Sequence, residues 1–116
     1  MKKSILSVAC LSMLAGTAHA STIKELLMGA LNSADGTSKG IVDGKEAETV
    51  HRTTGATDPL KGEVKTIKHY KQEGCSRLAL KLTQPNTPTK DGTPTDFVLH
   101  YELNLCRNGK PPADLN

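Results

Sequence analysis

The 116-residue chain has no tryptophan, one phenylalanine (Phe97) and two tyrosines (Tyr70 and Tyr101). So few aromatic faces leave no platform on which successive bases of a single strand would stack. Charge of one sign is also missing. Fifteen lysines and arginines, less Lys2 and Lys3 of the amino-terminal segment, leave thirteen against twelve acidic residues. A nearly neutral domain has no whole-molecule field to draw it to nucleic acid or to an anionic membrane, and no nucleic-acid partner is expected. Long apolar runs are absent after residue 20, so no membrane-spanning segment is expected. There is no glycine-rich phosphate loop, because Gly36, Gly40 and Gly44 lack a terminal Lys-Ser/Thr. No serine or cysteine stands in a nucleophile-elbow context. His51, His69 and His100 have no metal-ligand spacing to one another, to cysteine or to carboxylates. The chain therefore predicts no enzyme, no catalytic residue, no metal and no cofactor. No motif in it resembles that of a particular family.

What is present begins with an address. Lys2 and Lys3 precede a mostly apolar stretch from Ser4 to Gly16, and Ala18-His19-Ala20 is a small-x-small cleavage pattern. This is the form of a signal peptide over residues 1–20, to be removed before Ser21. It leaves residues 21–116 as one small domain, in the periplasm or secreted. Export takes away Cys10 and leaves Cys75 and Cys106, an even pair in an oxidising compartment, which reads as a disulfide. Closing a loop of about thirty residues contributes roughly 3–4 kcal/mol in the chain-entropy model.

Thr22 to Leu31 reads as an amphipathic helix. Ile23, Leu26, Leu27, Ala30 and Leu31 share one face, and Thr22 with Glu25 forms a capping box. Residues 33–45, rich in glycine, serine and aspartate, read as a flexible loop. Glu46 to Thr53 reads as a weak strand. Glu63 to Gln72 suits a helix, with Val64, Ile67 and Tyr70 three apart, or an edge strand, and the strand is preferred because Glu73-Gly74 looks like a hairpin tip. Lys61, Lys65, Lys68 and Lys71 could form a basic patch for an acidic partner or lipid headgroups, but Glu63 and Glu73 dilute it and a charged edge meeting water is the commoner reading. Leu78, Leu80 and Leu82 alternate with Arg77, Ala79 and Lys81, as Phe97, Leu99, Tyr101, Leu103 and Leu105 do with Val98, His100, Glu102 and Asn104. Both segments have the period of half-buried strands.

The cysteines and the leucines specify one register between these two segments. If Cys75 faces Cys106 in an antiparallel pair, Leu78 faces Leu103, Leu80 faces Tyr101, Leu82 faces Leu99 and Gln84 faces Phe97. A slip of one residue would set most of the leucines against polar neighbours such as Glu102, His100 and Asn104. On the other face Arg77 meets Asn104, Ala79 meets Glu102 and Lys81 meets His100. Gln84 to Thr95, with Pro85, Pro88, Pro94 and a Lys90-Asp91-Gly92 turn, reads as a loop without regular structure. Residues 107–116 read as a carboxy-terminal tail.

The expected fold is thus α+β, with an amino-terminal helix packed on a small antiparallel sheet of three to four strands and one disulfide. The expected function is that of an exported, non-enzymatic protein-binding or accessory component of a bacterial envelope or secretion or conjugation-type assembly, with a protein partner. Its candidate contact residues are Lys81, Pro88, Lys90, Asp91, Gly92 and His100, on and beside the 85–96 loop. The alternative is a secreted or periplasmic hydrolase inhibitor acting through that loop.

Overall fold

The computed structural model describes residues 20–116. The leader expected over residues 1–20 therefore lies, apart from Ala20, outside the described residues. The elements run β1 (Ala20–Ser21), α1 (Ile23–Asn32), β2 (Thr37–Val42), α2 (Lys45–Thr54), β3 (Leu60–His69), β4 (Cys75–Thr87) and β5 (Thr95–Cys106). The five strands form one sheet in chain order. β1 runs parallel to β2 and every other neighbouring pair is antiparallel.

Helix α1 starts as the sequence predicts. The Glu25 amide donates to Thr22 Oγ1 at 3.1 Å, and the Thr22 amide donates to Glu25 Oε1 at 2.9 Å, which completes the capping box. Its buried face, Leu26, Leu27, Ala30 and Leu31, packs with Val42, Leu60, Val64, Leu78, Leu80 and Leu82 into one core. These strand residues recur at every second position, so a single face of the sheet is covered.

The β4–β5 ladder has the expected register. Cys75 pairs with Cys106, Leu78 with Leu103, Leu80 with Tyr101, Leu82 with Leu99 and Gln84 with Phe97. Cys75 and Cys106 form the disulfide pair, their Cα atoms 3.9 Å apart. Such a pair fits an oxidising compartment. Of residues 63–72, those up to His69 are strand, as preferred over helix, with a bulge between Thr66 and Lys68, and residues 70–72 lie in the connection to β4.

Four readings are corrected. The sheet has five strands, not three or four. Within residues 33–45, Thr37–Val42 is strand β2 and not loop. Its small residues are what let α1 lie close. Ser38 Oγ donates to the Leu26 carbonyl at 2.6 Å, and Gly40 and Gly62 stand opposite one another beneath Leu26. Residues 46–53 are helical: Ala47, Val50, His51 and Thr54 lie on one face, and Gly55 ends α2 with φ +78°. Finally, β4 continues through Pro85 to Thr87, and Thr87 pairs with Thr95. A bulge with Asn86 at φ +53° absorbs the proline, so the hairpin loop contains only residues 88–94.

Candidate functional site

The face of the sheet opposite the helices carries the residues of interest. The period of two sets Thr37, Lys39 and Ile41 of β2 on it, with Lys61, Glu63 and Lys65 of β3, Arg77, Ala79, Lys81 and Thr83 of β4, and Val98, His100, Glu102 and Asn104 of β5. Neither α1 nor α2 lies over it, because the apolar residues they meet point the other way. Registers across the strands place Lys39, Glu63, Lys81 and His100 in one transverse row. Ile41, Lys61, Thr83 and Val98 form the next, and Thr37, Lys65, Ala79 and Glu102 the one on its other side.

The charge on this face is unbalanced. Lys39, Lys61, Lys65 and Lys81 are all exposed, while Glu63 is their one acidic neighbour in these rows on β2, β3 and β4. Among the described residues the one ion pair joins Arg77 to Glu102, at 3.0 Å. With side chains 36% and 53% exposed, that pair is screened by solvent and adds little to stability. Arg77 also donates to Asn104 Oδ1 at 3.0 Å, and the Tyr70 hydroxyl donates to the same oxygen at 2.7 Å. One end of the face is therefore tied down by neutral and paired groups. A shallow open depression lined by Lys39, Glu63, Lys65, Ala79, Lys81 and His100 occupies its middle.

The six candidate contact residues do not form one cluster. Lys81 and His100 are cross-strand partners in the middle of the open face. Pro88, Lys90, Asp91 and Gly92 belong to the hairpin tip. At roughly 3.3 Å per residue, the run from Lys81 to Thr87 alone separates them by about 20 Å. The tip has its own order. Asp91 Oδ1 accepts from Thr89 Oγ1 at 2.6 Å and from the Thr93 amide at 2.9 Å. The Gly92 amide donates to the Thr89 carbonyl at 3.1 Å, with Gly92 at φ +85°. The Thr89 hydroxyl foremost, and then the Thr93 amide, hold the Asp91 carboxyl below its ordinary value of 3.8.

The base of the loop is fastened to the α2–β3 connection. The Asp58 carbonyl accepts from His51 Nε2 at 2.8 Å and from Gln84 Nε2 at 2.7 Å. Asn86 Nδ2 donates to the Asp58 carboxylate at 2.6 Å. His51, which falls in the segment expected as a weak strand, is thus half-buried on a helix and fixes a turn. Lys39 was not singled out from the sequence, and Lys61 and Lys65 were read there, with Lys68 and Lys71, as a charged edge meeting water rather than as a contact surface. Their signal is the alternation of lysine with Gly40, Gly62 and Val64, which becomes legible only once β2 is known to be a strand.

Among the described residues no three His, Cys, Asp or Glu side chains are grouped so as to hold a metal ion, and no helix is long and apolar enough to cross a membrane. Residues 107–116 turn back toward the β3–β4 connection. The Lys71 amide donates to the Asn116 carbonyl at 2.9 Å, and the Ala113 amide to Gln72 Oε1 at 2.8 Å. Compared with family models, with curated proteins and with solved structures, the chain matches none.

Proposed function

We propose that the protein is an exported, non-enzymatic binding component of a bacterial envelope or secretion or conjugation-type assembly, and that it docks an acidic protein surface on its open sheet face. The observation that carries this reading is the exposed set Lys39, Lys61, Lys65 and Lys81, with His100 beside it, around Glu63, while the face's other carboxylate in these rows, Glu102, is paired with Arg77. Strands hold these side chains at fixed spacings, so ordering them costs less than ordering a loop. Steering by such a patch raises the association rate and weakens as salt rises.

The test is affinity capture from envelope extract with the oxidised protein as bait. The double variant Lys39→Glu/Lys81→Glu is expected to lose the captured partner, and Lys90→Ala/Asp91→Ala to keep it. Equal capture by the unaltered protein and the lysine-to-glutamate variant would refute the reading.

A second reading rests on the ordered hairpin tip. A turn held by Asp91, Thr89 and Thr93 before any encounter suits insertion into a hydrolase cleft, as an inhibitor does. Inhibition of a hydrolase by the purified protein, lost on replacing Lys90-Asp91-Gly92 and kept by Lys39→Glu/Lys81→Glu, would favour it over the first.

A further inference from the structure

Strand β5 is the last in the sheet, and its outer edge is long and apolar on one side. Phe97, Leu99, Tyr101, Leu103 and Leu105 alternate along its helix-side face, yet Phe97 remains 38% and Tyr101 51% exposed. Helix α1 covers β2, β3 and part of β4, and leaves a groove between α2 and β5 bounded by Ile23, Val50, Leu82, Leu99 and Tyr101. Free edges of this length and character pair with other strands unless something protects them.

Backbone direction along β5 is fixed by two hydrogen bonds. The Arg107 amide donates inward to the Gly74 carbonyl at 2.9 Å, while the Cys106 amide donates to the Lys110 carbonyl at 2.9 Å. Since N–H and C=O of one residue share a side in an antiparallel sheet, the odd-numbered residues bond to β4. Val98, His100, Glu102 and Asn104 then present their amides and carbonyls outward. Lys110 closes this edge at Cys106, and among the described residues no backbone bond reaches it between Val98 and Asn104.

We propose that a second copy of this chain pairs antiparallel along this edge, with Tyr101 on the two-fold axis. In that register His100 faces Glu102 of the partner subunit, and Glu102 faces the partner's His100. Val98 faces the partner's Asn104, Leu99 faces the partner's Leu103, and Phe97 faces the partner's Leu105. Each outward residue meets an outward residue, so the ladder closes at both ends where Lys110 stops it.

The neighbouring symmetric registers are worse. An axis at Glu102 sets two carboxylates face to face, and an axis at His100 sets Glu102 against the partner's Val98. An axis between residues would bring apolar against polar side chains and outward against inward amides. Glu102 has a carboxylate oxygen to spare, because Arg77 makes both of its contacts to Oε1. The axis stands perpendicular to the sheet, so both open cationic faces lie on the same side of one continuous sheet. The inference does not depend on what that face binds.

Sedimentation equilibrium of the oxidised protein is expected to give twice the chain mass. Glu102→Lys is expected to halve it by setting lysine against the partner's His100, and adding His100→Glu to restore it. Register is read independently, with the unaltered chain as the background for its own thiols. Tyr101→Cys is expected to link to itself, Leu99→Cys and Leu103→Cys to link only when mixed. A single-chain mass at every concentration overturns the proposal, as does self-linking of Leu103→Cys without that of Tyr101→Cys. The linking pattern keeps the test decisive should Glu102→Lys fail to fold.

Discussion

Asp91 and Gly62 show how much a single position can decide in this molecule. At Asp91 the carboxylate gathers the Thr89 hydroxyl and the Thr93 amide, bonds made better by the charged form, so its pKa in the folded chain is depressed. A depressed carboxylate adds order that is complete above its ordinary value of 3.8 and is lost as pH falls through the lower folded value. The Thr93 amide is therefore expected to hold its position down to about that pH and then to shift and exchange faster, followed by NMR. Asp35, held low chiefly by the Thr37 hydroxyl and then by its amide, is expected to behave alike. A Thr93 amide indifferent to pH through this range would contradict the turn geometry.

Gly62 and Gly40 face each other across β3 and β2, yet they are not equivalent. A Cβ on Gly62 would stand 2.7 Å from both Leu26 Cδ1 and Val42 Cγ2, whereas one on Gly40 would find Leu26 Cδ2 at 3.5 Å. Gly62→Ala is expected to cost about 1–3 kcal/mol by overpacking. Gly40→Ala is expected to be neutral or to stabilise by up to about 0.5–1 kcal/mol, because a strand glycine loses more freedom on folding. Urea unfolding of the two variants checks the order. Equal effects would mean that α1 does not press on Gly62.

At the scale of elements, α1, β4 and β5 were legible because several signals agree in each. The capping box and apolar stripe coincide at Thr22–Leu31, and the leucine alternation coincides with Cys75 and Cys106. Elements β2 and α2 were misread for different physical reasons. In β2 the residues facing the core are Ser38, Gly40 and Val42. Smallness there admits a helix, but in composition it resembles a loop. In α2 only Ala47 and Val50 are buried, so the apolar stripe is thin. The informative marks were Glu46 and Glu48 in its first turn, Arg52 in its last, and Gly55 beyond. Pro85 concealed the extension of β4, since a proline in a central strand is tolerated only where a bulge such as that at Asn86 relieves it. Of the candidate site, Lys81 and His100 were found through the register. Lys61 and Lys65 were legible as water-facing lysines, but that they share a face with Lys39 and Lys81 needed β2 in place.

For the whole molecule, the disulfide joins the ends of the two longest strands, across a sequence separation of 31. Replacing Cys75 and Cys106 together by serine is expected to cost roughly 3–4 kcal/mol, measured by denaturant unfolding at pH 7. Leucine pairing should still select the same register, so the variant is expected to be weakened but to keep the native pattern of amide contacts between β4 and β5. A shifted pattern would mean that the sulfur bridge alone sets the alignment.

On the proposed reading, binding is confined to one face of this architecture. Helices and leucines occupy one side of the sheet, Lys39, Lys61, Lys65 and Lys81 the other, and the hairpin tip lies at the end of β4 and β5. The most direct measurement of that division is an NMR titration of the isotope-labelled protein with a glutamate-rich peptide at low salt. Shifts confined to Lys39, Lys61, Lys65, Lys81 and His100 and their strand neighbours, and abolished by Lys39→Glu/Lys81→Glu, are the predicted result. Shifts at Thr89–Thr93 alone, or none at all, would contradict the assignment of the open face as the binding surface.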